Sequence, residues 1–211
     1  MKKFFLFLLG FSALFLVSVS CSKEENNNGL SQQEQKEVIL AMFNAGTKGV
    51  NQGMNNESRA GTKSTTNADL RSASYPVKYD GTYDHSDGKG GNIHLTINLG
   101  GVINYNLEPY QCLGGFILIN IAETINHFRV PLTNGREVYL DTDQSVTFAG
   151  TFKLQPGCST FDPSGSHFRI EGRYRCNGIE YDVLLLGSIK TDGTCDSISG
   201  TVNGIILSFD F

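Results

Sequence analysis

The chain is predicted to be all-β, an antiparallel up-and-down barrel or sandwich of roughly ten strands preceded by one short N-terminal helix. Three observations predict it. Residues 166–211 are punctuated by Asn177-Gly178, Asp192-Gly193 and Asn203-Gly204, pairs that accept the positive φ angles of a tight hairpin turn. Upstream, Ile93, Leu95, Ile97 and Leu99 alternate with polar residues, as do Ile103, Tyr105 and Leu107, the period of a half-buried strand. Sequentially paired strands in that number curl or split into two layers rather than stay flat.

The C-terminal hairpins can be checked for register, because a slip of one residue would turn every side chain to the other face. Pairing Cys176 with Ile179 sets Tyr174 against Tyr181, Gly172 against Val183 and Ile170 against Leu185. The next two turns set Gly187 against Ile198, Leu185 against Gly200, Val202 against Ile205 and Ile198 against Phe209. One face then collects Phe168, Ile170, Tyr174, Tyr181, Val183, Leu185, Ile198, Val202, Leu207 and Phe209. The other face carries charges, Arg175 facing Glu180 and Arg173 facing Asp182, with Leu184, Leu186 and Ile206 as apolar exceptions.

In chain order, the N-terminus is a targeting segment. Lys2 and Lys3 precede an apolar run from Phe4 to Val17, then Ser18-Val19-Ser20 and Cys21, the layout of a secretory signal over residues 1–20. With a cysteine at the junction, this stretch resembles the bacterial lipoprotein signal, which implies acylation of Cys21 and a lipid anchor. Lys23, Glu24 and Glu25 resemble the short export signal of surface lipoproteins in Gram-negative cells. Together they imply a protein held at the outer membrane and exposed on the cell surface.

Residues 21–30 read as a polar tether. Ser31 and Glu34 form a capping box for an amphipathic helix over 31–45, whose stripe of Val38, Ile39, Met42 and Phe43 is expected to cover Leu184, Leu186 and Ile206. Residues 46–74, rich in Gly, Asn, Ser and Thr, read as a flexible linker. The β domain then occupies 75–211. A three-residue loop at Gly100, Gly101 and Val102 keeps Leu99 and Ile103 on one face across a hairpin. Residues 116–127 fit either a buried strand or a helix.

No catalytic constellation is legible. His85, His94, His127 and His167 lie in separate segments without metal-ligand spacing. Asp80, Asp84, His85 and Asp87 around Gly81 and Gly88 lack the order of a calcium loop and read as a polar hairpin loop. No cofactor or metal is expected. Removing the signal takes Lys2 and Lys3 from 17 basic residues, leaving 15 against 21 acidic ones. A chain of net charge −6 without a basic stripe is a poor partner for nucleic acid.

The expected role is therefore non-enzymatic binding or adhesion, with the outer membrane reached through the lipid anchor and an unspecified ligand or protein as partner. Two alternatives are a glycan hydrolase, needing two carboxylates about 5–10 Å apart, and a lipocalin-like carrier of a small apolar ligand. For the carrier, Gly172, Gly187 and Gly200 would open a cavity lined by Phe168, Tyr174, Tyr181 and Phe209, unless their large neighbours fill the space. The four cysteines beyond Cys21 are expected to oxidise after export. Cys176 and Cys195 flank opposite ends of one strand, roughly 35–40 Å apart, too far for a bridge. Cys158–Cys195 is the preferred pair, leaving Cys112 for Cys176.

Overall fold

The computed structural model describes residues 29–57, 72–107 and 109–211. Cys21, Lys23, Glu24 and Glu25 lie outside the described residues. One helix, α1 (Gln32–Glu57), precedes ten strands: β1 (Ser72–Ser86), β2 (Asn92–Leu107), β3 (Tyr110–Asn126), β4 (Phe128–Pro131), β5 (Glu137–Asp141), β6 (Val146–Leu154), β7 (His167–Cys176), β8 (Ile179–Ile189), β9 (Cys195–Val202) and β10 (Ile205–Asp210). They form a single antiparallel sheet in the order β1-β2-β3-β6-β7-β8-β9-β10. The β4–β5 hairpin stands off this path, and β5 pairs the far end of β7. The sheet is not closed, because β1 and β10 remain its two edges.

The C-terminal meander has the register that its turns and apolar pattern predict. Cys176↔Ile179, Ile170↔Leu185, Gly187↔Ile198, Val202↔Ile205 and Ile198↔Phe209 all face each other. A bulge at Ser188/Ile189 sets Ile189 against Cys195. Asn177 and Asn203 take positive φ at their turns, as an Asx-Gly hairpin requires.

Five expectations are corrected. The helix does not stop at residue 45 but runs to Glu57, and residues 72–74 belong to β1, so 46–57 and 72–74 are not linker. Gly46 and Gly49 are poor helix formers, yet tertiary packing requires them. A Cβ on Gly49 would lie 2.7 Å from Leu95 and 2.9 Å from Ile97, so this turn of helix can seat on β2 only without side chains.

The helix also lies on the opposite face from the one expected. Val38, Ile39, Met42, Phe43, Ala45 and Val50 are buried with Ile93, Leu95, Ile97, Ile121 and Leu185 on the inner face. Leu184, Leu186 and Ile206 stay 46%, 59% and 81% exposed on the outer one. A 26-residue helix offers a long apolar stripe. The inner face needs such cover across every strand, whereas three aliphatic side chains on the outer face do not.

β2 is not a hairpin. It continues through Gly100 and Gly101 to Leu107, paired with β1 on one side and β3 on the other. Its apolar positions from Ile93 to Leu107 share one parity, Val102 excepted, which an uninterrupted strand explains without any loop. Gly101 is needed because a Cβ there would sit 2.2 Å from the Phe116 carbonyl. Similarly, Asp80, Gly81, Asp84 and His85 lie within β1, and the connecting loop is Asp87–Gly91, where the Asp87 carboxylate accepts from the Lys89, Gly91 and Arg129 amides. The ambiguous 116–127 stretch is strand up to Asn126, the second half of β3, and His127 turns the chain with a positive φ.

The disulfide joins Cys112 to Cys158, with Cα atoms 5.8 Å apart, while Cys176 and Cys195 are free and buried. The expected Cys158–Cys195 and Cys112–Cys176 pairs are overturned by strand order. β3 pairs directly with β6, so Gly115 faces Leu154. The loop after β6 folds back on the start of β3, and the Gly157 amide donates to the Cys112 carbonyl at 2.9 Å. The same loop also reaches the β8–β9 turn, where the Phe161 amide donates to the Thr191 carbonyl. Cys112 arrives at that same end of the sheet and lies nearer.

Candidate functional site

The helix is fastened at its N-terminus and leaves a groove along one flank. Ser31 Oγ accepts from the Glu34 amide, and Glu34 Oε2 accepts from the Ser31 amide at 2.8 Å, completing the capping box. Glu34 also takes Arg136 at 2.6 Å and Asn134 at 3.0 Å, both on the β4–β5 hairpin. Burial pushes the Glu34 carboxyl up, but these bonds together outweigh it and hold the carboxyl below its ordinary value. Glu37 holds the Thr133 amide and hydroxyl. The Leu30 amide donates to the Tyr181 hydroxyl at 2.7 Å, and Lys36 donates to the Asp210 carbonyl.

Further along, Leu40, Asn44, Thr47 and Asn51 recur every three or four residues, the spacing of one helical flank, with Phe43 beside them. They form one wall of the groove. The floor is Ile117 and Ile119 of β3 and Phe148 and Phe152 of β6. Phe161 and the β8–β9 turn, Lys190 to Thr194, form the far wall. The groove is half-open, with a volume of about 520 Å³, within the size range of small-molecule sites. Its floor is stiffened by rings: Phe43 lies 5.7 Å from Phe148 and 4.9 Å from Phe168, and Phe148 lies 5.2 Å from Phe168. The rim is polar. Lys190 Nζ donates to the Phe211 main-chain oxygen at 2.6 Å. Asp192 accepts from the Thr194 hydroxyl and amide, and the hydroxyl bond is the main reason its carboxyl lies below the usual range.

The cavity that the carrier alternative requires at the glycine row is filled by side chains and main chain. A Cβ on Gly187 would strike the Phe168 ring at 2.2 Å, one on Gly200 the Leu184 carbonyl at 2.1 Å, and one on Gly172 the Val146 Cα at 3.0 Å. Phe168, Tyr174 and Tyr181 are core residues, and Phe209 packs at the edge under the Lys36 ammonium. Among the described residues, the space beside the three glycines is taken up by packed neighbours, as in a curved sheet.

A second concavity, about 580 Å³, opens on the outer face where β7 leaves β6 to pair β5. Gly172, Tyr174, Glu171 and Asp143 border it together with Arg173, Arg175, Glu180 and Asp182. Arg173 binds Asp182 at 2.6 Å and reaches Glu180 at 3.7 Å; the hydrogen bond to Asp182 is the main cause holding its guanidinium above its ordinary value. Arg175, which faces Glu180 in register, turns instead to Asp143 at 2.6 Å. The two neighbouring carboxylates thus share one guanidinium, the arrangement of an exposed ion-pair network. Among the described residues no group of three or more His, Cys, Asp or Glu is placed to hold a metal ion. His94 pairs with Asp84 at 2.8 Å across β1 and β2.

One acid is fully buried in the core. Glu123 faces inward from β3 between Leu95 and Val146, and a Cβ on Gly46 of the helix would lie 3.0 Å from its Oε1. Its Oε2 has no hydrogen-bond partner among the described residues, and burial pushes the carboxyl up to about 8. Neither concavity reaches it.

The fold and groove define a helix-filled antiparallel β-sheet with an open apolar flank. The chain matches no protein-family model, no curated protein and no solved structure. Sequence reasoning missed the groove, because its walls come from α1, β3, β6 and the β8–β9 turn. The one available signal was the second helical row of Leu40, Asn44 and Thr47 beside the buried stripe.

Proposed function

We propose that this protein is a non-enzymatic binding protein of the cell envelope, anchored through an acylated Cys21, that takes a ligand with an apolar body in the groove between α1 and the sheet. The groove carries the reading: an apolar floor of Ile117, Ile119, Phe148 and Phe152 beneath a polar rim. Such a site recovers the free energy of removing apolar ligand surface from water, while the rim orients a polar end. The basic start, apolar run and junction cysteine of residues 1–21 support the anchor. Lys23, Glu24 and Glu25 support surface exposure.

Dodecanoate tests the binding step. Titrated into the purified chain, it should raise the melting temperature by an amount that grows with the logarithm of one plus the ratio of free ligand to Kd. Ile119→Asp, which sets a charge on the half-buried groove floor, should abolish the shift. An unchanged melting temperature with dodecanoate, or an unchanged shift in the Ile119→Asp variant, would remove the groove as the site.

A further inference from the structure

Beyond the groove, the inner face of β2 and β3 ends in a stack of tyrosines. Tyr110 lies over Tyr105 with ring centroids 5.2 Å apart and planes 16° from parallel, and Tyr75 meets Tyr105 edge-on at 5.3 Å. Tyr110 is 70% exposed. Its ring therefore has one face against Tyr105 and the other toward water. The stack is braced: Cys112, two residues on, faces Tyr105 in register and is tied by the disulfide to Cys158.

The stack lies on the same face of the sheet as the groove floor. Tyr105, Ile103, Gly101 and Leu99 share one face of β2, where Tyr105 faces Cys112, Gly101 faces Ile117 and Leu99 faces Ile119. Ile117 and Ile119 are groove floor. Four residues of strand, about 13 Å at ~3.3 Å per residue, separate Tyr105 from the level of Ile117.

We propose that the groove and the tyrosine stack receive one ligand, a single-chain glycolipid whose hydrocarbon lies in the groove and whose pyranose rests on Tyr110. This rests on the groove reading above. A rigid, amphipathic tyrosine supplies contact area at low entropic cost, and its free face suits a flat ring whose C–H groups point to one side. Nucleic-acid bases also stack on such rings, but the acidic chain disfavours a phosphate backbone. Proline-rich peptides dock in grooves between aromatic rings, and here the rings are stacked on each other with no slot between them. A sugar joined to a hydrocarbon matches both surfaces at their spacing.

The test compares three probes on the full purified chain: n-dodecyl β-D-maltoside below its micellar concentration, dodecanoate, and maltose. Binding is read by calorimetry and by tyrosine emission, which is unobscured because the chain has eight tyrosines and no tryptophan. Dodecyl maltoside should bind at least tenfold more tightly than dodecanoate or maltose. Tyr110→Ala should bring dodecyl maltoside down to the affinity of dodecanoate while leaving dodecanoate unchanged, and Tyr110→Phe should keep most of the advantage. Equal affinities for dodecyl maltoside and dodecanoate, or no effect of Tyr110→Ala, would overturn the joint site and leave the groove standing. Maltose binding as tightly as dodecyl maltoside would also overturn it, leaving a sugar platform alone. No binding by either amphiphile would remove both readings.

Discussion

Replacing Glu123 by Gln should flatten the pH dependence of stability. In the unfolded chain this carboxyl titrates near its ordinary 4.5, and in the folded chain at about 8. Between those values the folded protein holds a proton that the unfolded chain releases. Stability from this group is thus full below pH 4.5 and declines as pH rises toward 8. At 1.36 kcal/mol per unit, the two and a half units up to pH 7 amount to about 3 kcal/mol, and the interval from pH 5 to 8 to about 4 kcal/mol. For a chain of this size that is a difference of about 10 °C in melting temperature. Other groups shift too. Burial holds His85 below its ordinary value, which favours the folded state as pH rises, while the depressed Glu34, Glu37 and Asp192 act mainly below the window. These contributions are common to both proteins and cancel in the comparison. Calorimetric melts at pH 5, 6, 7 and 8 check it. The curves should converge near pH 5, with the Gln variant increasingly the more stable above it. Parallel curves across the range would show that the Glu123 carboxyl is hydrated or paired, and the buried acid would be refuted.

Non-reducing peptide maps should show a Cys112–Cys158 peptide, with Cys176 and Cys195 alkylated only after denaturation. Cys112→Ser should cost up to about 4 kcal/mol in urea melts, from the loop-closure entropy of the 46-residue separation. Gly187→Val should lose roughly 1–3 kcal/mol by overpacking against Phe168, and adding Phe168→Leu should recover part of it; additive losses would mean the two do not touch. Cys21→Ala should move the protein from the membrane fraction to the soluble one, and unchanged fractionation would defeat the anchor. Alanine at Lys23, Glu24 and Glu25 should lower surface labelling at constant total protein.

Local patterns settled much of the sheet. Asn177-Gly178 and Asn203-Gly204 demand one turn geometry, and with alternating apolar residues on either side only one register buries them. The capping box at Ser31 and Glu34 likewise needs only a four-residue window. What the sequence alone left undecided involved contacts between distant segments. The parity of Ile93 to Leu107 fits a straight strand as well as a looped one, and only pairing with β1 and β3 on both sides decides for the strand. Gly46 and Gly49 argue against helix locally, and only the closeness of Leu95 and Ile97 makes their missing side chains an advantage. Disulfide partners follow strand order, and β3 meets β6 across an intervening hairpin that no local signal announces. The groove and the tyrosine stack belong to the same class, because each is assembled from residues whose neighbours are chosen by the sheet and not by the chain.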